Sequence, residues 1–219
     1  MLNVKKDASF AEKNMHFGVL EVEFPEKDTW NIAAFEALKA KEVEKIKEKY
    51  GDYERKALFG ENPYYRYFKK YKKTYPVMQE LESLLLKGRP FPSGNPINEI
   101  AFITELKTQR LIGSHDIDRM TGDMELFCPD SKIDFEGMGG RDVHTYPGDV
   151  TCRDNEGIFC GMIGGADNRT CLKPGSNHIA YLVFGTVDTT EDEISDLEDA
   201  LLEYVKALAP NAVTNKIIV

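Results

Sequence analysis

The sequence predicts an α+β fold, with a helical N-terminal part packed on a mixed β-sheet body. Helix-type patterns cluster in the first half of the chain, and short strand patterns separated by turns cluster in the second half. A chain of 219 residues, 42% of them hydrophobic, is long enough to bury a substantial core. We therefore expect residues 1–219 to form a single domain. Residues 1–90 would supply a strand and helices, and residues 91–219 would supply the sheet-rich body.

The first half of the chain begins with a strand and continues with helices. Phe17–Phe24 alternates apolar side chains with glutamates, which predicts a half-buried strand that the next proline ends. Apolar residues spaced for one helix face predict an amphipathic helix from about residue 29 to residue 50. Pro63 and Pro76 stand at the first turn of two further predicted helices, where proline is tolerated.

The second half is predicted to be rich in short strands. A proline-rich connector at residues 89–96 leads into a helix at residues 97–106. Glu191–Leu208 carries acidic residues in its first turns and apolar residues at helical spacing, which is typical of an amphipathic helix. The predicted strands are Met124–Cys128, Asp149–Cys152, Gly157–Ile163, His178–Phe184 and Asn215–Val219.

Charge is distributed unevenly along the chain. The formal net charge is -9, yet residues 39–89 hold fourteen Lys and Arg against eight Asp and Glu. Lys69, Lys70, Lys72 and Lys73 lie there among tyrosines, and such a mixture can contact phosphates and stack on bases. The alternative is a solvated helix face whose aromatic residues belong to the core.

Composition gives no indication of a membrane, metal or cofactor site. The chain has no run of about eighteen apolar residues, and its first residues lack the apolar core of a signal peptide. The four cysteines are too widely spaced for a metal knuckle, and no phosphate-binding, dinucleotide or serine-elbow motif occurs. We expect a cytoplasmic protein with reduced, mostly buried thiols and no cofactor.

Glycine-containing segments carry the candidate chemistry. Gly164 and Gly165 end a strand pattern and precede Asp167, which fits either a plain turn or the backbone floor of a small-molecule pocket. A tight bend is predicted at Gly113 and Ser114, from which two polar side chains would project. Those are His115, a group that can transfer protons near neutral pH, and Asp116. The alternative is a surface turn capped by aspartates.

In order and spacing, these segments resemble the aminoacyl-tRNA editing domain of the bacterial phenylalanyl-tRNA synthetase β chain, and most of all its free-standing relatives. The resemblance covers roughly residues 64–185. The segments that carry it are Asn95–Glu99, Gly113–Asp123, Gly139-Gly140 and Gly161–Thr170.

The resemblance implies a pocket between two halves of an α+β domain, where the ester of a mischarged tRNA is hydrolysed. Backbone groups and a positioned water act there in place of a covalent nucleophile. We predict that His115 and Asp167 orient the water or the α-amino group, and that Lys69, Lys70, Lys72 and Lys73 contact the tRNA. The other predicted pocket residues are Glu99, Gly113, Ser114, Asp116, Gly139, Gly140, Gly164, Gly165, Ala166, Arg169 and Thr170.

The chain departs from the editing domain at three positions. Gly113 stands where the family has a histidine, Phe102 replaces an asparagine, and Leu182 aligns near a glutamate that reads the tyrosine hydroxyl. The cognate amino acid is therefore left open. The alternative function is a non-catalytic module that retains the fold and pocket and binds an amino acid, RNA or tRNA. The chain has no room for a synthetase catalytic core, so we do not expect it to charge tRNA by itself.

Overall fold

The computed structural model describes residues Met1–Val219 and confirms the α+β class. The helices are α1 (Ala8–Ala11), α2 (Ile32–Lys49), α3 (Arg55–Phe59), α4 (Pro63–Lys70), α5 (Pro76–Leu85), α6 (Pro96–Thr108) and α7 (Glu191–Leu208). The strands are β1 (Val4–Lys6), β2 (Phe17–Glu23), β3 (Ile112–Asp116), β4 (Met124–Phe127), β5 (Asp134–Gly137), β6 (Arg141–His144), β7 (Thr151–Arg153), β8 (Ile158–Gly161), β9 (Gly165–Ala166), β10 (His178–Phe184) and β11 (Val213–Ile218).

The strands form three sheets. One sheet has the order β1-β4-β7-β8-β9, in which β1 and β4 are parallel and the other pairs are antiparallel. A second sheet has the order β11-β2-β10-β3, and β2 pairs antiparallel with both of its neighbours. Strands β5 and β6 form a separate antiparallel hairpin.

The chain divides into two compact units. The first unit comprises Met1–Phe24, Gly113–Glu198 and Val213–Val219, and the second comprises Pro25–Ile112 and Asp199–Ala212. The boundary predicted near residue 90 lies inside the second unit. None of the helices combines the length and the apolar character needed to cross a membrane.

In the first unit, β2 and β10 form the centre of a buried sheet. The strand predicted at residues 17–24 is confirmed as β2, but its half-buried character is wrong, because six of its seven residues are buried. Glu21 tolerates burial because it accepts hydrogen bonds from His178, Asn215 and the backbone N–H of Leu2. Gly18 allows α7 to pack closely, since a Cβ there would lie 2.5 Å from Cγ2 of Ile194.

The tight bend predicted at Gly113 and Ser114 is also wrong. Both residues lie in β3, an edge strand of the four-stranded sheet, next to β10. Gly113 does not use a positive φ there, so the conformation that glycine permits is not required. Pairing with a distant strand therefore decides the local structure. It also directs His115 inward instead of outward, leaving it fully buried.

In the second unit, aromatic side chains of the basic segment fill the core. Tyr64, Phe68 and Tyr75 are buried, and the rings of Tyr64 and Tyr75 stack with centroids 6.0 Å apart. The Asn62 side chain caps α4 by accepting from the backbone N–H of Tyr65, which confirms the predicted helix start. The hydrophobic effect explains these three side chains without a ligand, whereas Tyr65, Tyr67 and Tyr71 are only half-buried.

All four cysteines are free and buried, as the composition predicts. Burial raises the pKa of the Cys152 and Cys160 thiols well above the ordinary value. Both thiols are therefore protonated at neutral pH and unsuited to nucleophilic attack.

Candidate functional site

A buried chain of hydrogen bonds joins three of the predicted site residues. His115 in β3 is completely buried, and its Nδ1 lies 2.7 Å from Oγ1 of Thr170. Thr170 Oγ1 lies 2.6 Å from Oδ1 of Asp167, which also accepts from the Thr170 backbone N–H. Asp167 and Thr170 are buried as well. Residues 55 positions apart in sequence thus share one polar network.

This network fixes the tautomer of His115. An ionised carboxylate can only accept, so the hydroxyl of Thr170 donates its single proton to Asp167. The oxygen of Thr170 must then accept, which places the imidazole proton on Nδ1 of His115. Nε2 is left with a free lone pair.

Nε2 of His115 is buried and has no hydrogen-bond partner. It faces the position of the side chain that Gly113 lacks. A Cβ built on Gly113 would lie 3.5 Å from Nε2 and 3.5 Å from atoms of Leu182 and Phe184. Gly113 is half-buried, and the space of one Cβ next to Nε2, which we call the gap at Gly113, is left empty between atoms of Leu182 and Phe184.

The imidazole is held neutral. Burial, with a smaller contribution from the positive charge of Arg169, lowers the pKa of His115 from 6.5 to about 3. The ring packs edge-on against Phe159, with centroids 5.2 Å apart. At neutral pH this group is a hydrogen-bond acceptor at Nε2 and a weak base.

Asp167 is positioned by two hairpins. Burial raises its pKa, and the bonds from Thr170 and the charge of Arg169 oppose that shift. Its backbone N–H donates to the carbonyl of Phe159, and an isolated bridge joins it to Gly137. The β5–β6 hairpin therefore lies directly against the chain that leaves β9.

The predicted glycine clusters are the turns of these hairpins. Gly164 is the last residue of the turn between β8 and β9, and Gly165, with a φ of 81°, begins β9 opposite Gly161. A Cβ on Gly164 would lie 3.2 Å from the His144 carbonyl oxygen. Gly139 and Gly140 form the β5–β6 turn, where the Gly139 N–H donates to Oδ1 of Asn168. The structure thus brings residues 139–140 and 164–170 together.

Arg169 is held by carboxylates of the protein. Its two terminal nitrogens each lie 2.9 Å from an oxygen of Asp154, in a bidentate pair. It also donates to the carbonyl of Arg119 and pairs with Glu156. These contacts give Arg169 a structural role at the strand exit.

Asp116 and Ser114 complete β3. The Asp116 carboxylate accepts from the backbone N–H of Asp118, from Arg119 and from the hydroxyl of Ser176. Its backbone N–H donates to the carbonyl of Thr170, which ties β3 to the network of His115. Ser114 is half-buried between Gly113 and His115. Asp116 therefore organises the end of the strand.

The remaining predicted residues belong to the second unit. Glu99 is buried near the start of α6, where it pairs with Lys39 at 2.5 Å and accepts from the backbone N–H of Gly94 and Asn95. These bonds satisfy the backbone N–H groups directly before α6 and give Glu99 a structural role. Exposed lysines lie at the end of α4 and in the loop that follows: Lys69, Lys70, Lys72 and Lys73.

Two polar centres were missed by the sequence analysis. Asp154 caps the turn after β7 and binds Arg169, and these contacts lower its pKa against the effect of burial. His178 lies between Glu21 and Asp118, whose hydrogen bonds raise its pKa although burial acts in the opposite direction. The sequence Asp-Asn-Glu-Gly at residues 154–157, directly after β7, is typical of a turn and could have indicated the first centre. No local signal marks the second, because its partners are distant in sequence.

A cavity of about 360 Å³ lies beside this region in the first unit. Phe127, Phe135 and Arg153 line it, and Arg169 is the predicted site residue on its wall. No group of three or more His, Cys, Asp or Glu side chains is arranged to hold a metal ion.

Comparison with known proteins gives a structural likeness. No family model matches the sequence, and no curated protein matches it. The structure is similar to an N-terminal fragment of the phenylalanyl-tRNA synthetase β-subunit from Pyrococcus horikoshii, with a TM-score of 0.48 and 8% sequence identity. The match covers 99% of this chain and 54% of that chain, so this chain spans about half the length of that fragment.

Proposed function

We propose that this protein hydrolyses the ester of a mischarged aminoacyl-tRNA. The observation that carries the proposal is the buried, unpartnered Nε2 of His115 behind the gap at Gly113. The ordered sequence segments that resemble the editing domain support an aminoacyl ester as the substrate. A buried acceptor without a donor is costly, and an ammonium group or a water would supply that donor.

The proposed role of His115 is orientation. A group with a pKa of about 3 removes a proton from water poorly near pH 7, so Nε2 accepts a hydrogen bond from the attacking water or from the α-ammonium group. The water oxygen bonds to the ester carbonyl carbon, and the bond from that carbon to the ribose oxygen breaks. The water protons end on the ribose hydroxyl and in solvent, and the amino acid is released.

Thr170 and Asp167 act as positioning residues in this proposal. They hold the imidazole proton on Nδ1, and so keep the lone pair of Nε2 directed at the gap. The turn at residues 139–140 supports this network indirectly, because the Gly139 N–H holds the side chain of Asn168, the residue that follows Asp167.

The test is a panel of correctly and wrongly charged tRNAs incubated with the protein. We expect ester loss above the buffer rate for at least one mischarged tRNA. Thr170→Val, which removes the hydroxyl but keeps the shape, should slow that loss about tenfold or more. Absence of ester loss across the whole panel, from a protein with a normal cooperative unfolding transition, would contradict the proposal.

A non-catalytic binding module is the second candidate. The low basicity of His115 and the lack of any side-chain nucleophile in its network favour this function. The same panel separates the two candidates. Saturable binding of an aminoacyl-tRNA or an amino acid without ester loss would identify a binding module.

A further inference from the structure

The second unit contains a small cavity that the proposed function does not use. Its volume is about 230 Å³, which suits a ligand of single-ring size and is below the usual range for drug-sized ligands. Helices α5 and α6 and the connector after α5 supply its walls. The apolar lining consists of Leu84, Pro90, Phe91, Pro92, Phe102 and Leu106.

One carboxyl group lines this apolar cavity. Glu80 on α5 has an Oε2 that is buried and has no hydrogen-bond partner. Burying a carboxylate oxygen without a donor is unfavourable, because the protein does not replace the hydrogen bonds lost from water. Packing does not explain this arrangement, whereas a ligand with an N–H donor would satisfy it.

The charge around Glu80 favours a cationic donor. Glu80 forms a hydrogen bond with Glu105 on α6, which is itself buried, so two carboxyl groups lie side by side. Other charged or titratable groups nearby are Tyr75 and Arg110, and the exposed Arg89 lines the cavity. A hydrogen bond between two carboxyl groups shares one proton, so the pair carries one negative charge when Glu80 is ionised, and that charge lies on the cavity wall, whereas Arg89 is screened by water.

We propose that this cavity binds a small apolar primary amine, with the ammonium group on Glu80 and the apolar body between Phe91 and Phe102. An ammonium carries three donors, of which one reaches Oε2 of Glu80. The aromatic and leucine side chains cover the hydrocarbon part of the ligand. This inference takes no residue from the His115 network, and its failure would leave the proposed hydrolysis untouched.

Calorimetric titration of the full chain tests the proposal with three probes that share a phenyl ring on a two-carbon chain and differ in the polar end group. The probes are 2-phenylethylamine, 2-phenylethanol and 3-phenylpropionate. We expect saturable binding of the amine, weaker binding of the alcohol and the weakest binding of the acid. Binding of the acid as tightly as the amine, or no binding of the amine, would overturn the proposal.

Two matched variants locate the site. Glu80→Gln should weaken binding of the amine at least tenfold, because it replaces the carboxylate by an amide of the same size. Ser83→Ala changes another polar lining residue and should leave binding within twofold. If Glu80→Gln fails to fold, Phe102→Trp gives the second test, since a larger side chain should fill the cavity and abolish binding. Unchanged binding in folded Glu80→Gln, or in folded Phe102→Trp, would overturn the assignment.

The pH dependence supplies an independent readout. Burial raises the pKa of Glu80 to about 7, with Glu105 as its hydrogen-bonded neighbour. An ammonium ligand favours the ionised carboxylate, so binding should tighten between pH 6 and pH 8 with release of a proton. Glu80→Gln should abolish this dependence. Affinity for the amine that stays flat in the wild-type protein would contradict the assignment to Glu80.

Discussion

At the scale of single residues, His115 shows how burial turns a titratable group into a fixed acceptor. The imidazole has one partner, Thr170, and that partner is itself committed to Asp167. The protein therefore sets both the protonation state and the direction of the free lone pair. Protonation of the ring would remove the free lone pair of Nε2 and place a positive charge in a buried site. Protonation of His115 is therefore linked to the stability of the folded protein at low pH.

We predict that His115 makes the protein less stable as the pH falls below 6.5. Its pKa in the folded protein, about 3, lies below the ordinary value of 6.5, so the unfolded chain binds a proton that the folded chain does not. Between pH 7 and pH 5 this difference lowers the free energy of unfolding by about 2 kcal/mol. Urea unfolding of the wild-type protein and His115→Gln at both pH values measures it.

The variant serves as the control, since Glu80, Glu105 and every other titrating group are common to both proteins. The loss of stability from pH 7 to pH 5 should be smaller in His115→Gln by about that amount. An equal loss in the two proteins would mean that His115 is not held neutral.

At the scale of elements, the two hairpins β5–β6 and β8–β9 assemble the site. The side-chain N–H of Asn168 donates to the carboxylate of Glu136, and the side-chain oxygen Oδ1 of Asn168 accepts from the backbone N–H of Gly139. The backbone N–H of Met138 donates to the carbonyl of Ala166. These cross-hairpin bonds position Asp167, so the glycine turns matter through their geometry.

We predict that Gly165→Ala destabilises the protein by about 1–2 kcal/mol, because its φ of 81° is strained for a residue with a Cβ. No atom lies within 4 Å of the position of that Cβ, so steric overlap contributes nothing. Gly165→Asn should cost less, since asparagine tolerates this conformation better. Urea unfolding of both variants measures the difference, and equal costs would contradict the conformational explanation.

At the scale of the whole molecule, the acidic chain carries its basic segment in the second unit. The lysines at the end of α4 are exposed, while the aromatic side chains beside them form core. Tyr64, Phe68 and Tyr75 are not available for stacking on bases, and Tyr65, Tyr67 and Tyr71 are half-buried, so the exposed lysines are the groups of this segment most accessible to a phosphate.

We predict that tRNA binding depends on salt through the basic segment. Lys69→Ala with Lys70→Ala should lower the slope of log affinity against log salt by about 2, because two phosphate contacts are lost. Lys13→Ala with Lys132→Ala removes two exposed lysines of the first unit and is the matched control. Filter binding at several salt concentrations measures both slopes. Equal slopes in the two double variants would place the RNA contact elsewhere.

The sequence predicts elements whose signals are local and misses those set by distant partners. His178–Phe184 and Glu191–Leu208 match the predicted bounds because periodicity and end signals lie within each segment. Gly113 and Ser114 form a strand instead of a bend because β10 pairs with them from afar. The burial of Glu21 likewise depends on His178, 157 residues away.

For the candidate site too, the sequence predicts what local signals determine and misses what contacts between distant residues determine. The glycine and acidic residues at 164–170 predict a polar strand exit, and the structure places them beside His115. The sequence does not predict the hydrogen bonds of these residues, because the contact of His115 with Thr170 joins two segments that only the folded protein brings together. The commitment of Arg169 to Asp154 also depends on a turn whose geometry is set in the folded state.

The most direct test of the account compares ester release from mischarged tRNA by the wild-type protein, Gly113→Ala and Gly51→Ala. A Cβ at either glycine makes ordinary contacts of 3.5 Å, so both variants should remain folded. At Gly113 that Cβ stands in front of Nε2 of His115, whereas Gly51 lies in the second unit after α2. We predict release that is at least tenfold slower for Gly113→Ala and unchanged within twofold for Gly51→Ala. Equal release by all three proteins would contradict the proposed role of the gap at Gly113.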